Sequence, residues 1–346
     1  MLDTAPGAPA AGHDDRAPAS SPLRALAARA RHSPLMPLVV LWIAVIVYFA
    51  LTESRFLTSP NITSMLEQNS VLFTVAMAET VILLTGAVDL SIGGMLSLTS
   101  LVIVLGNHGI PAWVVLIMTV LAGGLLSATL NGLPIGLGRM NPFVVTLGTS
   151  AVFFGIANLI TGGNTEVIDD PKLINAISGD KVGPIPIAVL VMLAVLGLFW
   201  WMLRYTYFGR NVYAVGGNPE ASTLAGISVA RIRIVAFFLL GLSAGLAAIL
   251  DAGQLSSVAP TSGSGLELQA VAAVLLGGTT LAGGKGGVVG TAIAVLFLGT
   301  VHNGLDISGV SSFWQGVVTG SVLVLAVGFD QVRQRFVLNR QVKGTR

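Results

Sequence analysis

The amino-acid sequence predicts an all-α membrane protein, a polytopic bundle of about ten transmembrane helices. Two features of the composition support this prediction. Of the 346 residues, 53% are hydrophobic and only 10% are charged, whereas soluble domains carry about 25% charged residues. A mean hydropathy of +0.84 and 42 glycines fit helices that pack closely inside a bilayer, where small residues let backbones approach.

Apolar segments of the length that crosses a bilayer, about 20 residues, recur along the chain. The predicted spans are 35–51, 69–86, 92–106, 112–132, 142–161, 185–203, 234–250, 268–282, 288–303 and 313–330. Several are short or interrupted by glycine, which a bilayer tolerates only where protein or a watery cavity covers the backbone. The sequence therefore divides into a disordered N-terminal tail (1–34), a transmembrane domain (35–332) and a basic C-terminal tail (333–346).

The distribution of lysine and arginine predicts the orientation of these spans, because cytoplasmic loops collect both residues. With the N-terminus inside, all but three of the 18 basic residues fall on the cytoplasmic side, the exceptions being Arg55, Lys172 and Lys181. The loop 162–184, which is rich in aspartate, is then external. A single misplaced span would scramble this segregation, so we expect an even number of spans and two cytoplasmic termini.

A lysine within a glycine-rich run raises the question of whether the chain binds a nucleotide. The Walker pattern GxxxxGK[ST] needs a hydroxyl after its lysine to hold magnesium. Here Gly286 follows Lys285, and Thr279 stands where the first glycine should be. We therefore predict a tight cytoplasmic turn, with Lys285 as a basic anchor.

The residue types needed for a metal site or a catalytic centre are scarce. The chain has no cysteine, which excludes thiolate chemistry and cysteine-ligated metals. Its four histidines lie far apart and form no HExxH or HxH pair, which disfavours a metal site. No convergent carboxylates or histidine cluster suggest an intramembrane enzyme. We expect no metal, no catalytic residues and no nucleic-acid partner.

Polar residues within the apolar segments are candidates for a solute pathway or a gate, because ionisable groups inside a membrane are costly. Asp89 and Ser91 have an alternative role as a helix cap. Glu79 either lines a polar pathway or is neutralised by hydrogen bonds to serine and threonine. Helix–helix hydrogen bonding is the alternative for the asparagines and threonines. The candidate residues are Glu79, Asp89, Ser91, Asn141, Thr146, Asn158, Glu267 and Asn303.

The longest internal cytoplasmic loop, 204–234, contains the signals of a short capped helix. Asn218 suits the N-cap, Pro219 the first turn, and Glu220 the positive end of the helix dipole. Gly226 stands where a C-terminal glycine ends a helix. An exposed helix rimmed by arginines suits a docking surface for a cytoplasmic partner, and an ordinary connecting loop is the alternative.

Five motifs, in order along residues 34–332, resemble the membrane permease subunits of ribose-type sugar ABC importers. They are GAVDLSIGG (86–94), GRMNPFVVTLGT (138–149), GRNVYAVGGNPEASTLAGI (209–227), LELQAVAAVLLGGTTLAGGKGGVVGT (266–291) and HNGLDISGVSSFWQGVVTG (302–320). One motif alone would be weak, but five with this order and spacing are specific. The Ala/Pro-rich N-terminal tail departs from the family pattern.

The resemblance implies a permease that imports a sugar or sugar-like solute across the bacterial inner membrane. It implies three protein partners: a cytoplasmic ABC ATPase that binds ATP and magnesium, an extracytoplasmic sugar-binding protein, and a second permease copy. The permease itself would bind lipid and no cofactor. The implied contact with the ATPase involves Gly209, Arg210, Gly216, Gly217, Asn218, Glu220, Ala221 and Gly226. An ion-coupled secondary transporter of a small polar solute, in which Glu79 and Asp89 relay the ion, is the alternative function.

Overall fold

The computed structural model describes residues 35–178, 181, 182 and 185–311, together with residues 313, 314, 316–318, 320, 321 and 324. Within this part of the chain the structure is almost entirely helical, which confirms the all-α prediction. The helices are α1 (Met36–Thr52), α2 (Ser59–Leu84), α3 (Ile92–Val104), α4 (Ala112–Leu126), α5 (Leu133–Gly136), α6 (Pro142–Thr161), α7 (Pro171–Ser178), α8 (Ile187–Tyr205), α9 (Tyr207–Gly217), α10 (Pro219–Leu224), α11 (Val229–Leu255), α12 (Leu266–Leu276) and α13 (Val288–Ile307).

Two short antiparallel strand pairs lie in the loops between helices. Strand β1 (Glu166–Val167) pairs with β4 (Ser257–Val258), and β2 (Lys181–Val182) pairs with β3 (Ile185–Pro186). The β1–β4 pair joins two loops that the sequence prediction places on the same, external side.

Five helical segments of the described chain are long and apolar enough to cross a membrane. They are Ala112–Gly136, Pro142–Thr161, Ile187–Tyr205, Val229–Leu255 and Val288–Ile307. The segments Met36–Thr52, Ile92–His108 and Leu266–Leu276 are apolar but shorter. The predicted span 313–330 lies largely outside the described residues, and the predicted tails 1–34 and 333–346 lie wholly outside them.

Several predicted boundaries are wrong, some because hydropathy marks only the apolar part of a helix and one because glycines end the helix early. Helix α2 begins at Ser59 rather than at residue 69, so its first turns are polar. Helix α11 begins at Val229 rather than at residue 234, because the Ser228 hydroxyl accepts the Arg231 N–H and caps it. Helix α12 ends at Leu276 rather than at residue 282, where Gly277 and Gly278 follow.

Helix α11 is central to the bundle, where it packs against α2, α3 and α4. Its contact with α4 depends on glycine. A Cβ on Gly241 would collide with the Gly123 carbonyl oxygen, and a Cβ on Gly123 would collide with that of Gly241. One turn further, a Cβ on Gly245 would lie 2.6 Å from the Thr119 carbonyl oxygen. Backbone contact of this kind is how membrane helices gain packing energy without a hydrophobic driving force.

Candidate functional site

A cluster of hydrogen-bonded polar side chains lies inside the bundle, at the link between α2 and α3. Glu79 lies on α2, and its Oε1 accepts the backbone N–H of Asp89 at 3.1 Å. Asp89 Oδ1 accepts the Ser91 N–H at 2.6 Å and the Ser91 hydroxyl at 2.8 Å. All three residues are buried. Asp89 therefore binds the residue that precedes α3, and the Ser91 side chain binds Asp89 instead of capping the helix.

Asn131 completes this cluster, and the sequence analysis missed it. Its Nδ2 donates to Ser91 Oγ at 2.7 Å and to Asp89 Oδ2 at 3.2 Å, and its Oδ1 accepts the Thr149 hydroxyl at 2.6 Å. Asn131 thereby joins the α2–α3 link to α6. It lies in the π-helical segment Ser127–Gly132 between α4 and α5. Such π-bulges are frequent at functional sites. We name Glu79, Asp89, Ser91, Asn131 and Thr149 the buried polar cluster.

The buried polar cluster contains two carboxyl groups and no basic side chain. Among the described residues no lysine, arginine or histidine forms an ion pair with Glu79 or Asp89. The Asp89 oxygens accept several hydrogen bonds, whereas Glu79 Oε2 is buried without a hydrogen-bond partner in the described chain. An uncompensated polar atom of this kind is costly in a membrane interior and marks a functional candidate.

Helices α3 and α12 begin next to each other inside the protein. They have 13 and 11 residues, so each is shorter than the roughly 30 Å hydrocarbon core, at about 1.5 Å per residue. A Cβ on Gly93 would collide with the Gly263 carbonyl oxygen and with Glu267 Oε2. The Gly263 N–H donates to Ser97 Oγ at 3.0 Å. The loop before α12 therefore packs inside the bundle against the start of α3.

Glu267 is the one remaining predicted pathway residue with an unusual environment. It lies in the first turn of α12, where a carboxylate interacts favourably with the helix dipole. Its Oε2 is buried against Gly93 and has no hydrogen-bond partner among the described residues.

The other predicted pathway residues have hydrogen-bond partners outside the buried polar cluster. Asn141 caps its own helix by accepting the Phe143 N–H at 3.0 Å. Thr146 and Asn158 donate to carbonyl oxygens one turn earlier, at 2.9 and 2.8 Å. Asn303 exchanges two hydrogen bonds of 2.9 Å with Asn61, which fastens α13 to α2.

Three backbone segments meet at the end of α2 in a contact that we name the glycine junction (Leu84, Gly86, Gly216, Gly283 and Gly284). The Gly284 N–H donates to the Leu84 carbonyl oxygen at 3.0 Å. A Cβ on Gly216 would collide with that same oxygen, and a Cβ on Gly283 would lie 2.7 Å from the Gly86 nitrogen. Glycine is required at this junction because the backbones touch. The junction brings together the predicted docking loop, the glycine-rich turn and the α2–α3 link.

The predicted capped helix in the docking loop is present as α10. Asn218 Oδ1 accepts the Ala221 N–H at 2.9 Å, and Glu220 lies in the first turn. Gly226 follows the helix with a φ of +82°, the left-handed conformation expected of a C-terminal glycine. Leu224, at the end of α10, is 90% exposed. Helix α10 is therefore a short, well-capped element whose side chains, Ser222 apart, are exposed on the surface of the described structure.

The residues before α10 are helical as well, which the sequence analysis did not predict. Helix α9 begins at the Thr206 cap and contains Gly209, whose Cβ would collide with carbonyl oxygens of α8. Arg210 is exposed and lies over the Tyr207 ring, 4.3 Å from its centroid. Gly217 ends α9 and leaves the chain free to turn into α10.

The described residues contain no group of three or more histidine, cysteine, aspartate or glutamate side chains that could hold a metal ion. The features of the site are a buried polar cluster, a pair of helix starts and an exposed, capped helix.

Comparison with known proteins identifies the family. Residues 61–327 match the family model described as the permease component of branched-chain amino acid transport systems. The ribose import permease RbsC of Escherichia coli K12 is 38% identical over 299 residues, which covers 84% of this chain and 93% of the relative. RbsC of Bacillus subtilis 168 is 40% identical over 302 residues, covering 86% and 92%.

The D-allose transport system permease AlsC of Escherichia coli K12 is 35% identical over 295 residues, covering 85% of this chain and 90% of the relative. No solved structure matches the chain significantly. These relatives confirm the resemblance to ribose-type permeases that the five sequence motifs indicate. The match to the family model and the similarity over nearly the whole length lead to one conclusion: the chain belongs to this family of transport-system permease components.

Proposed function

We propose that the chain is the permease subunit of an ATP-driven importer for a sugar or sugar-like solute in the bacterial inner membrane. The family model is described by amino acid transport, but the full-length relatives are permeases for ribose, allose and arabinose, which favours a sugar. The structural observation that carries the proposal is the exposed helix α10. It follows α9 in the chain, and Gly216 at the end of α9 contacts the end of α2 in the glycine junction.

A permease of this kind needs an ATPase subunit and an extracytoplasmic substrate-binding protein. ATP and magnesium belong to the ATPase, and the chain has no ATPase site of its own. We propose that α9 and α10 dock on this ATPase through Gly209, Arg210, Gly216, Gly217, Asn218, Glu220, Ala221 and Gly226. A change at α10 then reaches the inner end of α2 through the glycine junction. Coupling of this type requires contacts that differ between two conformations.

We further propose ten spans, with the tails 1–34 and 333–346 in the cytoplasm and the transmembrane domain at 35–332. Two contacts support this topology. The predicted external loops meet at the β1–β4 pair, and the predicted cytoplasmic segments meet at the glycine junction. Exposed apolar side chains such as Leu159, Leu193 and Trp201 fit contact with lipid or with a second permease copy. A homodimer with the solute pathway between the copies is the assembly we expect.

The assignment of residues to the solute pathway is also a proposal. The buried polar cluster and Glu267 lie where broken helices begin, which is where transporters commonly expose polar groups to a solute. Helix capping and helix packing are the roles that we assign to Asn141, Thr146, Asn158 and Asn303, because each bonds outside the buried polar cluster.

Ion-coupled transport of a small polar solute is the second candidate, and one observation favours it. Glu79 and Asp89 lie together in the interior, as carboxyl groups of an ion relay do. In that case uptake would follow an ion gradient and would not need an ATPase.

The test is uptake of labelled pentoses, hexoses and polyols into proteoliposomes that contain the permease, its ATPase and its binding protein. The variant Leu224→Ser removes the exposed side chain of α10, and Leu51→Ser is the matched control, because Leu51 is 82% exposed at the far end of α1. If the leucine contributes about 1.4 kcal/mol to docking, its loss weakens docking, and with it coupled uptake, roughly tenfold. Uptake that needs all three proteins and falls only with Leu224→Ser supports the proposal. Uptake by the permease alone in an ion gradient contradicts it.

A further inference from the structure

The glycine-rich turn at residues 278–287 is a fixed structure. The Thr280 N–H donates to the Lys285 carbonyl oxygen at 3.1 Å, and the Thr280 hydroxyl donates to the Gly283 carbonyl oxygen at 3.1 Å. The Gly287 N–H donates to Thr279 Oγ1 at 3.3 Å. These bonds hold Lys285 at the tip of the turn.

The same turn is fastened to the proposed docking loop. The Tyr213 hydroxyl, on α9, donates to the Gly286 carbonyl oxygen at 3.0 Å. Burial raises the pKa of Tyr213, although Arg204 lowers it, so the hydroxyl keeps its proton at neutral pH and can donate this bond. A Cβ on Gly284 would lie 2.8 Å from the Gly217 nitrogen, so the two loops touch through their backbones. The docking loop and the turn therefore form one continuous surface.

Three backbone N–H groups of this surface are engaged within the protein and are not available to a phosphate group. The N–H groups of Gly283, Gly284 and Gly287 are all bonded within the protein, to Thr280, Leu84 and Thr279. A phosphate-binding loop needs such groups to point at its ligand. What the turn offers outward is the side chain of Lys285, which is exposed and forms no ion pair with the described residues.

We propose that the glycine-rich turn is a second contact for the ATPase subunit, in which Lys285 pairs with an acidic side chain of that subunit. The ATPase is the occupant because the turn continues the surface of α9 and α10, and this inference rests on the proposed function. The glycines serve the contact by letting the turn approach α9 closely. Tyr213 is a positioning residue that holds Gly286, and with it Lys285, beside α10.

The experiment measures binding of the purified ATPase to the full-length permease in lipid nanodiscs, at low and high salt. The test variant is Lys285→Glu. The matched control is Arg139→Glu, because Arg139 is also exposed and lies in another loop of the proposed cytoplasmic side. We expect Lys285→Glu to weaken binding about tenfold at low salt, and less at high salt because salt screens exposed charges. Arg139→Glu leaves binding within about twofold of the original.

The outcomes separate this inference from the proposed function. If Leu224→Ser weakens binding and Lys285→Glu does not, the second contact is wrong and the docking helix stands. If neither variant weakens binding, the proposed docking surface fails as a whole. If Lys285→Glu and Arg139→Glu weaken binding equally, or only in anionic lipid, Lys285 binds lipid headgroups and the inference is overturned. Restoration of binding by an acid-to-lysine change in the ATPase identifies the paired residue.

Discussion

Replacement of Asn131 by alanine tests whether the buried polar cluster holds the α2–α3 link to α6. The change removes hydrogen bonds to Ser91, Asp89 and Thr149, of 2.7, 3.2 and 2.6 Å. A neutral hydrogen bond between membrane helices contributes about 0.6–1.7 kcal/mol, and one to a charged group about 1.5–3 kcal/mol. The free energy of unfolding should therefore fall by about 3–6 kcal/mol.

The measurement is reversible unfolding by sodium dodecyl sulfate in mixed micelles, followed by circular dichroism. Asn158→Ala is the control, because the Asn158 amide donates only to the Phe154 carbonyl oxygen of its own helix, and its loss should cost less than about 1 kcal/mol. Asn131→Asp keeps the shape of the side chain but places another carboxyl group against Asp89, so it should be worse than alanine. Equal losses for Asn131→Ala and Asn158→Ala would refute the structural role of the cluster.

Three further changes have predicted outcomes. Gly241→Leu should separate α11 from α4 at Gly123, and the free energy of unfolding should fall by at least about 1–3 kcal/mol in the same titration. Trp42→Phe removes the 2.8 Å hydrogen bond from the indole N–H to the Thr300 hydroxyl. The free energy of unfolding should fall by about 1 kcal/mol, while uptake stays unchanged. Glu79→Gln keeps an acceptor for the buried N–H of Asp89, whereas Glu79→Leu removes it. Only the leucine variant should therefore lower the free energy of unfolding, by about 1–3 kcal/mol.

The sequence predicted best those features that depend on neighbouring residues. Helix α10 follows from Asn218, Pro219, Glu220 and Gly226, because caps and helix ends are made by residues within one turn. The apolar stretch of each span was predictable for the same reason, because it is made of consecutive residues. The polar first turns of α2 were missed because hydropathy detects apolar residues and gives no sign that a helix continues into polar sequence.

The site could be predicted only in part, because its contacts join distant segments. Asp89 and Glu79 stand out as acids in apolar sequence, but Asn131 looks like an ordinary polar residue near a helix end. Its place in a π-helical segment and its bond to Ser91, 40 residues away, have no signal in the local sequence. The meeting of Gly93 with Gly263 has no local signal at all, and neither has the contact of Gly216 with Leu84.

The short helices α3 and α12 have a consequence for the synthesis of the protein. Ser97 on α3 binds Gly263, 166 residues later in the chain. At about 5–20 residues per second, the second partner leaves the ribosome roughly 8–33 s after the first. During that interval the insertion machinery must hold a helix shorter than the bilayer core, whose final neighbour does not yet exist. A chain halted before residue 263 should therefore stay bound to a membrane chaperone, and release should follow the synthesis of α12.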